Sequence, residues 1–118
     1  MLWDVSNQIG KKISVRNKGL YVYYDVERIR YIMCDGHYCL IYLLGESEGI
    51  RYMHSLKSFE KELENLGFIR VNHNTLVNVR YTPNVHITTT KRSLRVEGGE
   101  NGKIESIIVS KRKVVLFK

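Results

Sequence analysis

Three polar side chains in a row, Asn72-His73-Asn74, interrupt a run that is otherwise strand-like, with Phe68, Ile69 and Val71 before them and Leu76, Val77 and Val79 after. Asn, His and Arg are the residue types that reach base edges and phosphates, and Arg70 and Arg80 flank the triplet. Asn also fills turns by bonding nearby backbone, which is the plainer use of the same residues. Charge weighs between the two. Residues 68–118 hold 10 Lys+Arg against 3 Asp+Glu, whereas residues 1–67 hold 9 of each, so the whole net charge of +7 lies in the second part. A one-sided basic excess concentrates polyanions and is the electrostatic footprint of nucleic-acid binding; a basic surface kept for solubility is the alternative.

The other candidates for chemistry carry less. Cys34, His37 and Cys39 form a C-x2-H-x-C cluster with His54 farther on. This matches no established zinc spacing, so neither a metal nor another cofactor is expected. A Cys nucleophile needs a partner His and an oxyanion hole, and no such signature is present. The glycines of "EGGENG" sit in an acidic turn without a Lys to meet a phosphate. No enzyme activity is expected. Eight tyrosines, among them Tyr21, Tyr23, Tyr24 and Tyr38, offer faces for unpaired bases, but most stand at alternating strand positions where core packing is the commoner use.

The elements that must position these residues are mostly strands. "KISVRN" and "LYVYYDV" meet at "NKG", a hairpin turn. "RIRYIMC" alternates apolar Ile29, Tyr31 and Met33 with Arg28, Arg30 and the apolar exception Ile32. Asp35-Gly36 marks a turn before "HYCLIYLL", "GESEG" another before "IRYMH". One helix follows, with Ser55 as N-cap, Leu56, Phe59, Leu63 and Leu66 at helical spacing, and Gly67 at the left-handed position that ends it. "LVNVRY", "VHITTT", "SLRVEG" and "KIESIIV" read as strands, with Pro83 as a breaker. The tail "SKRKVVLFK" forms a short basic helix or a last extended segment.

At 118 residues the chain makes one domain. No apolar run nears the roughly 20 residues that span a bilayer. The N-terminus lacks a signal-peptide pattern. A cytoplasmic setting is therefore expected, whose reducing conditions keep Cys34 and Cys39 as thiols.

The ordered motifs resemble the LytTR DNA-binding domain of LytR/AlgR/AgrA-type bacterial transcription regulators. Phe68, Arg70, the triplet at 72–74 and Val77-Asn78 follow that family's central signature. Ile29-x-Tyr31-Ile32, the strand from His37 to Leu44, the helix "SLKSFEKEL" and the closing "VSKRK" match its other elements in order. Asn72 and Asn74 stand where the family usually has His and Ser, and His73 where Arg or Asn is commoner.

The resemblance implies a mostly β, elongated arrangement of small sheets, about ten strands with one or two short helices. It implies residues 1–12 as an N-terminal extension and 13–118 as the DNA-binding domain, standing alone or excised from a longer regulator. Loops, rather than a recognition helix, enter successive major grooves of double-stranded DNA, with promoter direct repeats and a homodimer on DNA as expectations. By motif, base contacts fall on His37, His73 and Arg112. Phosphate contacts fall on Arg70, Asn72, Asn74, Lys111 and Lys113, although an Arg inside an apolar strand can instead brace a loop. Two other readings stay open: a protein-interaction module or antagonist of a related regulator, since the triplet is altered, and a single-stranded nucleic-acid binder.

Overall fold

The computed structural model describes residues 5–83, 85 and 87–117. Among them are nine strands, one α-helix and several 3-10 turns. β1 (Lys12–Asn17) and β2 (Leu20–Asp25) form an antiparallel hairpin. β3 (Ile29–Asp35), β4 (Tyr38–Leu43), β5 (Ile50–Met53), β6 (Phe68–Asn72) and β7 (Thr75–Asn78) build a five-stranded sheet in the order β5-β4-β3-β7-β6. β8 (Ser93–Val96) and β9 (Glu105–Ile108) form a second hairpin. α1 (Leu56–Glu62) connects β5 to β6. The molecule extends 44 Å along one axis and 29 Å along the other two. The mostly β, elongated architecture expected from the sequence is the one observed.

The central sheet is covered on both faces, and this explains the odd strand "IRYIMC". Ile32, Cys34, Cys39 and Ile41 face a core shared with Ile13 and Val15 of β1 and with Leu56 and Phe59 of α1. Tyr31, Val71 and Val77 face a second core with Leu94, Val96, Ile107 and Val114. A strand buried on both sides reads as a near-continuous apolar run rather than an alternation. Ile32 is no exception, then; it belongs to the opposite core.

Arg30 departs from the alternation more sharply, because its side chain is completely buried. The pairing of β3 with β4 shifts between Ile29 and Tyr31, and such a bulge re-aims the side chain it carries. Arg30 donates from Nε to the Leu43 carbonyl at 3.0 Å and from Nη1 to the Glu105 carboxylate at 2.7 Å. Its Nη2 donates to the Glu46 carbonyl at 2.5 Å. The central sheet is thereby tied to β9. Gly98 makes room: it has φ +91, and a Cβ there would lie 2.9 Å from Arg30 Cδ.

Several sequence expectations need correction. α1 is capped by Ser55, whose Oγ accepts from Ser58 N at 3.1 Å, as expected. It stops at Glu62, however, and Asn65 takes the left-handed turn (φ +65); Gly67 (φ +81) instead leads into β6. Asn tolerates that conformation because its short polar side chain bonds locally. The segment "VHITTT" forms no strand among its described residues, and its His86 lies outside them. Of the two forms expected for the tail, the short basic helix is the one observed, as a 3-10 helix over Lys111–Phe117. Cys34 and Cys39 are not separate thiols but a disulfide. They stand directly opposite each other in the β3–β4 register, with Cα atoms 4.0 Å apart.

The described part of the expected extension packs tightly. Gln8 is fully buried and donates to the Leu66 carbonyl at 2.6 Å and to Asn78 Oδ1 at 2.9 Å. Arg80 Nε in turn donates to Gln8 Oε1 at 2.9 Å.

Candidate nucleic-acid interface

The β3–β4 turn holds His37. Asp35 pairs with Tyr38, which leaves Gly36 and His37 as a two-residue loop. Gly36 has φ +62, the positive first position that the tight hairpin turns favour. His37 stands exposed at the tip.

The β6–β7 turn holds His73. Asn72 Oδ1 accepts from Asn74 N at 3.0 Å, the local bond that shapes an Asx turn. Asn72 Nδ2 donates to the Ile108 carbonyl at 2.7 Å, which ties the turn to β9. Asn74 Oδ1 accepts from Thr75 Oγ1 at 2.9 Å. Arg70 Nη2 donates to the His73 carbonyl at 2.6 Å, while Nη1 lies 3.4 Å from Glu60. The side chains around His73 are thus engaged in shaping the loop, and the exposed imidazole is left facing solvent.

Pairing puts the two tips at one end of the sheet. Met33 of β3 is opposite Thr75 of β7, and Cys34 N donates to the Asn74 carbonyl at 2.8 Å. The turns lie two strands apart, about 10 Å at the usual strand spacing. Beyond β6, Ser110 N donates to the Val71 carbonyl at 2.8 Å, which docks the start of the C-terminal 3-10 turn at the same end. Val114, buried in the second core, anchors that turn and leaves Lys111 and Arg112 exposed.

One cleft of about 400 Å³ gathers His73 and Arg112 with Arg70, Asn72, Lys113, Ser110 and Glu60. His37, Asn74 and Lys111 do not line it. Ser110 and Glu60 lie in the matched segments "VSKRK" and "SLKSFEKEL", but nothing in those segments marks either as a cleft residue: their place depends on how the tail and α1 meet β6. The tyrosines divide. Tyr31 and Tyr42 stack on each other at 4.2 Å within the second core, and burial pushes both phenols up. Tyr21, Tyr23 and Tyr38 are the exposed ones.

No helix among the described residues is long and apolar enough to cross a membrane. Residues 20–118 match the LytTr DNA-binding domain family. Among solved structures, the chain is similar to a LytTr DNA-binding domain from Bacillus cereus, with 19% identity and a TM-score of 0.59 over 92% of this chain and 94% of that one. No curated protein sequence matches the chain.

Proposed function

Since the chain belongs to the LytTr DNA-binding domain family, we propose that it is a transcription regulator that binds double-stranded DNA sequence-specifically, reading successive major grooves through loops. The observation that carries this reading is the gathering of His37, His73 and Lys111–Arg112 at one end of the central sheet. Arg112 has the fork of donors that meets guanine O6 and N7, and His37 and His73 offer single ring donors or acceptors to purine edges. Lys111 and Lys113 supply phosphate contacts that fix register. The only α-helix described carries Lys57 and Lys61 against Glu60 and Glu62, so it offers phosphate no net attraction. Promoter direct repeats, two copies on DNA and the bacterial cytoplasm complete the proposal.

Duplex selection from random DNA tests it. An enriched duplex should bind with a log K against log salt slope of roughly −5 for ~6 phosphate contacts. Single strands that displace the protein better than duplex overturn the proposal in favour of base stacking on the exposed tyrosines. A failure of every duplex at low salt, with a partner regulator co-purifying, transfers it to the interaction-module reading.

A further inference from the structure

A second cleft, of about 570 Å³, lies at the same end of the molecule on the other side of His37. It runs between the β1–β2 turn and the strands β4 and β5, and Arg16, Lys18, Arg51, Tyr38 and Met53 line it. Met53 is the strand partner of Tyr38, the residue that follows His37. The cleft therefore continues the edge on which the base-reading tips stand. Residues 16–19 precede the family-matched region, which begins at residue 20.

Its chemistry is one-sided. Three cations line the cleft and no carboxylate does; Asp35 faces a neighbouring groove on the far side of Tyr38 and Arg51. None of the ion pairs among the described residues includes Arg16, Lys18 or Arg51. The Arg51 guanidinium lies 3.8 Å above the centre of the Tyr38 ring, a cation–π contact that holds the head group in place while its N–H groups stay free to donate. A planar guanidinium held in place and flanked by two further cations suits phosphate oxygens. The neutral balance of residues 1–67 hides the cluster, since its members lie 35 positions apart, from Arg16 to Arg51, and only the fold unites them.

We infer that Arg16, Lys18 and Arg51 form a backbone clamp that grips DNA phosphates flanking the sequence read by His37, His73 and Arg112. This inference rests on the duplex-binding reading. Five strands at the usual spacing span about 19 Å, slightly more than half of the ~34 Å helical turn. The clamp and the two lysines beside Arg112, Lys111 and Lys113, therefore hold one duplex from opposite sides of His37 and His73. The clamp adds affinity and register without sequence preference, because phosphates are the same under every base.

The test compares the wild type with the triple variant Arg16→Gln, Lys18→Asn, Arg51→Gln on a selected duplex. Asn suits position 18, where φ is +51. The variant should keep the base preference of the wild type and lower the salt slope by about 2.7, at 0.9 for each phosphate given up. Trimming the selected duplex from one end alone should weaken the wild type and leave the variant unaffected. That trimming series on wild type stands even if the variant folds poorly. A wild type that binds selected duplex with a steep salt slope, yet is indifferent to both trimmed ends and matched by the variant, overturns the clamp and spares the proposed function. A wild type that binds no duplex overturns both.

Discussion

At the scale of single residues, the proposed interface separates base reading from phosphate holding, and substitutions tell the two apart. Arg112 is exposed beside His73, and its loss removes a bidentate donor. Arg112→Ala should cost about 1–3 kcal/mol against the preferred duplex and relax discrimination at one base pair. Lys113→Ala should weaken all sequences alike and lower the salt slope by about one. Titrations of both variants on the selected duplex and its single-base variants separate the two outcomes. Arg70 has a different expected signature, because its guanidinium already bonds the His73 carbonyl. Arg70→Ala should speed amide exchange at Asn74 and Thr75, and blur the base position that His73→Ala blurs. A uniform loss of affinity with unchanged exchange would make it a phosphate contact instead. His73→Ala should leave thermal stability within about ±0.5 kcal/mol, as exposed loop side chains usually do.

At the scale of elements, two polar ties fix how the pieces meet. Arg30 is buried among Leu43, Glu46 and Glu105, so removing Glu105 leaves a buried charge without its counter-ion. Glu105→Ala should destabilise by about 3–5 kcal/mol. The double change Arg30→Met with Glu105→Leu should cost much less, since no charge is then stranded. Urea midpoints at unchanged m measure both. Gln8 is the second tie. Gln8→Ala deprives Asn78 and Arg80 of a buried partner and should cost about 1–3 kcal/mol. Unchanged stability on that substitution would mean that the described part of the 1–12 extension is dispensable.

At the scale of the whole molecule, the Cys34–Cys39 bond spans a sequence separation of 5, so it closes a small loop. Chain-entropy arguments give such a loop about 2 kcal/mol. Thiol alkylation under denaturing, non-reducing conditions should leave both cysteines unmodified. Reduction should then lower the melting temperature modestly without unfolding the domain. Full alkylation before reduction would restore the thiols expected of a reducing compartment. The bond was legible in principle, because a two-residue turn at Gly36-His37, the centre of a C-x4-C spacing, sets the two cysteines opposite each other. Cysteine count by itself points to thiols; the hairpin register points to the bond.

Local patterns determined a good deal without help. The β-rich class, the Ser55 cap, the turns at Gly36 and at residues 72–74, and the ordered motifs of the family all follow from short-range chemistry that survives in a linear reading. Only tertiary structure decided the rest. The apolar pattern of β3 has two solutions until a second layer covers the outer face of the sheet. Arg30 looks like a wet residue until a bulge turns it inward against Glu105. His37, His73 and Arg112 are far apart in sequence, and the strand order β5-β4-β3-β7-β6 brings their loops to one end. Asn72 and Arg70 changed most in meaning: their types announced contact with DNA, and their hydrogen bonds support the loop that carries His73. A sequence states which groups can donate and accept, but which of them are already engaged depends on neighbours that only the fold supplies.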